Sequence, residues 1–131
     1  MQYREDAVPE LPPILTADSI TRVGTEAGDA VVVNGSHGGV YAAYLAAKLR
    51  VRAAIFNDAG VGRDRAGVAG LEYLADLGIP AAAVGHDSAR IGDGADMMAR
   101  GRITHANGLA QALGCHPGTA CREAAVRLQR S

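Results

Sequence analysis

The sequence predicts a small three-layer αβα domain of Rossmann-like layout, with a short, mostly parallel sheet of three or four strands. Short apolar runs alternate with segments of helical length, which is the spacing of βαβ units. Glycines and prolines punctuate the alternation where turns are needed, and a length of 131 residues suits one domain with a single modest core.

The elements follow in order. Residues 1–15, with Pro9, Pro12 and Pro13, read as an extended N-terminal arm, leaving 16–131 as the single α/β domain. "TADSITRVGTEAGD" opens with a short helix capped by Thr16 or Asp18 and stopped near Gly24. "DAVVVNG" is a strand near 30–34, and "GGVYAAYLAAKL" is a helix. "RAAIFND" is a strand near 52–57, followed by the helix "AGVAGLEYLADLG" with Gly78 as its C-cap. "IPAAAVG" is a strand near 80–84, where Pro80 is tolerable at the start. "DSARIGDGADMMARGRI" is a long loop with one helical turn between Asp93 and Ala99, and "ITH" is a candidate fourth strand. "NGLAQALG" and "PGTACREAAVRLQR" close the chain as helices, the second with Pro117 near its first position.

Composition excludes several classes of function. Thirteen basic and 14 acidic residues are spread without a basic stripe, so no nucleic-acid partner is expected. No apolar run approaches a membrane span, and the first residues are polar with no apolar leader core, which makes the cytoplasm the expected location. Cys115 and Cys121 in "CHPGTAC" do not have zinc-ligand spacing and read as structural thiols. There is no HExxH, no EF-hand run and no phosphate-binding lysine loop, so neither a metal nor another cofactor is expected.

In a parallel sheet the loops after the strands gather along one edge, where open α/β sheets bind ligands. Those loops read "NGSHGG", "NDAGVGRD" and "GHDSARIGDG". Each is rich in glycine, and together they hold Ser36, His37, Asp58, Asp64, His86, Asp87, Ser88, Arg90 and Asp93. The opposite end receives only "LRVR" and "LGIP". The asymmetry marks the edge as the candidate site.

The roles follow from side-chain chemistry. Ser36 can serve as a nucleophile or as a helix N-cap, and His37 and His86 supply imidazoles, the side chain best suited to proton transfer near neutral pH. Asp58, at a strand end, can orient a histidine or act as a base, whereas Asp64 reads as a cap for a helix at Arg65 or Ala66. Arg90 can grip a carboxylate or phosphate, or pair with Asp87 or Asp93, and Ser88 can complete an anion nest. Gly35, Gly38 and Gly39 would let a ligand approach the backbone, and Asn57, at the end of the second strand, is a further candidate for binding the substrate.

Asn34-Gly35-Ser36-His37-Gly38 resembles the nucleophile elbow of α/β-hydrolases, with asparagine where that motif has glycine. The resemblance implies a serine nucleophile, with Asp58 or Asp64 and then His86 or His105 as partners. It spans about six residues, and that fold needs more strands than this chain can build, so the family is not assigned.

Two function classes remain. One is an enzyme, a hydrolase or an acid–base catalyst of lyase or isomerase type, acting on a small anionic metabolite at the C-terminal strand ends. The other is a non-catalytic ligand-binding or accessory subunit of an oligomer. From Val40 to Leu49 only Lys48 is charged, so the first long helix is expected at a homo-oligomer interface.

Overall fold

The computed structural model describes residues 11–131, and the arm expected over 1–15 lies mostly outside them. Its last residues, Ile14 and Leu15, already belong to a strand. The chain is mixed α/β, with five strands: β1 (Ile14–Ala17), β2 (Val31–His37), β3 (Ala53–Asn57), β4 (Ala81–Val84) and β5 (Ile103–Ala106). They form one sheet in the order β1-β2-β3-β4-β5. The first four run parallel and β5 is antiparallel to β4. The three strands expected near 30–34, 52–57 and 80–84 pair in parallel as anticipated. The count of three or four is corrected to five.

The extra strands have physical reasons. Pro12 and Pro13 precede β1, and Pro13, which has no N–H to give, joins the ladder only by accepting Val31 N at its carbonyl, which is tolerable at a sheet edge. β5 is short, and Val84 pairs with Ile103 while Ala83 pairs with His105.

Five helices accompany the sheet: α1 (Val40–Lys48), α2 (Ala69–Asp76), α3 (Gly94–Arg100), α4 (Gly108–Ala112) and α5 (Cys121–Gln129). Alternate strand residues enter two separate apolar clusters, as a side-chain period of two requires. Val32, Ala54, Phe56, Ala81 and Ala83 join Ala43 and Ala46 of α1 and Leu71 and Leu74 of α2. Val33, Ile55, Ala82 and Val84 join Met97 of α3 and Cys121, Ala125 and Leu128 of α5. Apolar runs without alternation are thus strands covered on both faces.

Some helix boundaries differ from expectation. The segment after β1 forms two 3₁₀ turns, Ile20–Arg22 and Thr25–Ala27, the first capped by Ser19 rather than by Thr16 or Asp18. Asp64 has φ of 55° inside the short turn Arg63–Arg65 and makes no cap. Pro117 does not start the last helix. Ala120 bridges to Arg102 and Cys121 N donates to Gly101 O, which holds the chain extended until Cys121. Gly78, with φ of 79°, follows the end of α2 as expected of a C-cap glycine.

Cys115 and Cys121 are free and fully buried. Burial pushes the Cys115 thiol up and the Cys121 thiol to about 12. Both are expected to resist a thiol-specific dye in the native protein and to react once denaturant unfolds it.

Candidate functional site

One connection shapes the C-terminal edge. After β4 the chain crosses to α3, which packs on β1 and β2. Residues 85–93 therefore run as a strap over the strand ends. Asn57 Nδ2 donates to Ala89 O at 3.0 Å, Gly92 N donates to Gly35 O at 2.8 Å, and Gly94 N donates to Asp18 Oδ1 at 3.1 Å. The three expected loops do meet along this edge. The strap, however, lies among them and separates two groups of residues.

The first group is at the end of β2. Here the pairing with β3 shifts between Val33 and His37, so the strand continues past Gly35 before α1 begins at Val40. Asn34 is buried, donating from Nδ2 to Ile55 O and accepting Ser36 N. Ser36 Oγ accepts Ile20 N at 3.1 Å and lies 3.2 Å from Ser19 Oγ. Ser36 therefore does not cap α1, whose N-cap is Gly39, and no imidazole is among its partners. It accepts the first amide of the 3₁₀ turn Ile20–Arg22, whose N-cap is Ser19. Ser36 lines a pocket of about 310 Å³ with Asp18, Thr21, His37, Tyr41 and Ile91. His37 is exposed, and its ring lies against Gly39.

The glycines of this loop admit the protein's own backbone. A Cβ on Gly35 would stand 2.5 Å from Asp93 N and 2.6 Å from Asp18 O, and one on Gly38 would stand 2.7 Å from Gly67 O. Ser36→Ala is expected to lower stability by about 1 kcal/mol, the worth of an ordinary hydrogen bond, in a chemical denaturation series.

The second group forms around Asp58, at the end of β3, which is 5 % exposed. Its Oδ1 accepts Gly60 N at 2.8 Å and His86 N at 3.0 Å, and His86 Nδ1 lies 3.4 Å away. Its Oδ2 accepts the Thr104 hydroxyl at 2.8 Å, and Thr104 Oγ1 is 2.9 Å from His105 Nδ1. Burial pushes the Asp58 carboxyl up, but the donors from Gly60, Thr104 and His86 outweigh it and leave it below the usual carboxylate range. The anion is thus the form the fold selects.

Hydrogen-bond polarity then assigns both rings. The single Thr104 hydroxyl proton goes to Asp58, so Thr104 Oγ1 must accept from His105 Nδ1–H. An ionised Asp58 likewise faces the Nδ1–H of His86. Each neutral imidazole is left with its basic nitrogen at Nε2. The His86 side chain is 58 % exposed, so its Nε2 is reachable from solvent.

Local backbone strain accompanies this group. Ala59, Val61, Asp64 and Arg65 all have positive φ, and Val61, at 68°, is β-branched. Asp58 holds the start of this loop through Gly60 N, and its carbonyl accepts Val61 N.

The other expected residues are placed as follows. Asn57 is buried, and its Oδ1 accepts Ala59 N. Ser88 Oγ donates to Gly85 O and accepts Arg102 N, which uses its hydroxyl within the strap. Arg90 N donates to Asp96 Oδ2, while its guanidinium makes no ion pair with Asp87, Asp93 or any other of the described residues. The structure thus joins Asp58 to His86 and leaves Ser36 and His37 apart from them.

Thr104 was missed, and His105 was noticed without its place. Both sit at the start of β5. Only because β5 runs antiparallel does its beginning reach the edge where the other strands end. Among the described residues no group of His, Cys, Asp and Glu is arranged to hold a metal, and no helix is long and apolar enough to cross a membrane. Set against family models, curated proteins and solved structures, the chain matches none.

Proposed function

We propose that this chain is a small αβα, Rossmann-like enzyme of the acid–base type, moving a proton on a small anionic metabolite. One observation carries the reading: a buried carboxylate with both oxygens engaged contacts one imidazole directly and a second through a threonine hydroxyl. Asp58 orients His86 through its Nδ1, as the carboxylate of a catalytic triad does for its histidine. Thr104 plays the orienting part for His105. Arg90 is the anion contact, because its guanidinium makes no ion pair among the described residues. Hydrolysis through Ser36 has weaker support, since its hydroxyl is occupied by Ile20 and Ser19.

The test is exchange of carbon-bound hydrogen with solvent. Small carboxylic and phosphorylated acids are incubated with the protein in D₂O and followed by proton NMR. Exchange is expected for at least one acid and should fall about 10²-fold or more in His86→Gln or His105→Gln, the range for general acid–base groups. A folded protein that exchanges none of them would overturn the reading.

A second reading, an oligomeric subunit without chemistry, draws on one observation. Val40, Tyr41 and Tyr44 of α1 are exposed, Tyr41 by 71 %, and the two rings stack with centroids 6.4 Å apart. Aromatic side chains left in the open suit an interface. Light scattering is expected to show a dimer or larger assembly that Tyr41→Asp reduces to monomer.

A further inference from the structure

Thr104, which donates to Asp58, also lines a pocket of about 250 Å³ that Asp58 does not line. Its polar lining is Arg65, Glu72, Thr104, His105 and Gln111, over an apolar floor that includes Val68 and Leu71. The volume falls below the roughly 300–1,000 Å³ of sites for drug-sized molecules, so only a compact occupant fits. Arg65 and Glu72 have opposite charges, yet they form no ion pair with each other or with any described residue. Gln111 gives its amide to Ala106 O, which leaves its carbonyl oxygen as an acceptor. The pocket therefore offers a cationic fork, an anion, a neutral acceptor and an imidazole whose Nδ1 is committed to Thr104.

We infer that this pocket binds a small zwitterion, an α-amino acid with a short side chain. Its carboxylate meets the Arg65 guanidinium, which matches carboxylate geometry with two donors. Its ammonium meets Glu72 and the Gln111 carbonyl. The apolar floor takes the short side chain, and the Cα hydrogen faces His105 Nε2. A simple carboxylic acid would leave Glu72 without a counter-charge, and a simple amine would do the same to Arg65. Selectivity for a molecule carrying both charges follows. This inference rests on the acid–base reading for the role of His105, but not for binding.

Glycine and L-alanine are titrated into the isotope-labelled protein, with acetate and methylammonium as the single-charge probes. Shifts are expected at the Thr104, His105 and Gln111 amides, with the amino acids at least about tenfold tighter than either probe, as one further charged hydrogen bond implies. Glu72→Gln should weaken the amino acids by a similar factor and leave acetate unchanged or tighter. Arg65→Ala should weaken the amino acids and acetate together, with Arg65→Lys restoring part of the affinity. Both residues are exposed, so the variants should keep the native amide spectrum. Equal affinities for glycine and acetate, or affinities that neither variant changes, would overturn the inference. Amino acids that bind in this way without hydrogen exchange would sustain the inference and sink the acid–base reading. Exchange on acids that bind elsewhere would do the reverse.

Discussion

Asp58→Asn is expected to fold and to lose about 10²-fold or more of proton-transfer rate, the range for an acid–base group whose orienting anion is gone. The amide keeps most of the geometry. Its carbonyl can accept Gly60 N and His86 N, and its Nδ2 can donate to Thr104 Oγ1. The Thr104 proton then turns to Ala83 O, which already lies 3.4 Å away. What disappears is the negative charge that faces the His86 ring. Asp58→Ala differs in kind. It removes the acceptor from Gly60 N, His86 N and the Thr104 hydroxyl at once, and each of these part-buried hydrogen bonds is worth about 1 kcal/mol. Thermal melts should therefore separate the two variants while activity does not.

A pH series adds the sign. A carboxyl held below its usual 3.8 stabilises the fold fully above that pH, and the contribution is lost as pH falls through the depressed native value. Asp96, taken down to about 2 chiefly by its hydrogen bond from Arg100, titrates in the same acid range. Wild type minus Asp58→Asn isolates the Asp58 part, because Asp96 is present in both. A difference curve flat between pH 5 and 2 would show that Asp58 is not an anion the fold favours.

Gly35→Ala is expected to destabilise by more than about 3 kcal/mol, at the upper end for overpacking. The three atoms nearest a new Cβ are Asp93 N, Asp18 O and Gly92 Cα, all backbone and all within 2.6 Å. Gly92 is also tied to Gly35 O by its amide, so the strap cannot retreat without losing that bond. No side-chain tip is available to move aside. Gly108→Ala is the control, since nothing lies within 4 Å of its added methyl. A urea midpoint for Gly35→Ala matching that of the control would mean the strap is not seated on β2 as described.

Legibility in the sequence varied with the range of the interactions involved. "VVV", "AAIF" and "AAAV" are apolar runs separated by helical lengths, so their strand character and parallel pairing were readable locally. β1 was hidden by Pro12 and Pro13, which look like a linker until an edge position is known. Ser36 illustrates the limit at a site. A small residue before Ser and a glycine after it fits an elbow, a cap or a strand end equally well. A register shift against β3 made it the last of these. Asp58 and His86 were found because any residue at the end of a parallel strand reaches the edge. Thr104 and His105 depend on the direction of β5, and four letters carry no sign of strand direction.

The strand order has a further meaning for how the molecule forms. In the sheet each strand has only its sequence neighbours beside it, so no strand must be threaded between two that have already paired. Growth can proceed by accretion, with β2 and β3 joining through α1, then β4 through α2, and the ladder lengthening in the order of synthesis. Such neighbour-to-neighbour closure keeps the entropic cost of each step small, which favours rapid folding for a parallel sheet. The strap is the exception. It cannot seat until the ends of β2, β3 and β4 are all present, and it delivers His86 to Asp58. The candidate chemistry therefore assembles last, on a sheet that is already built.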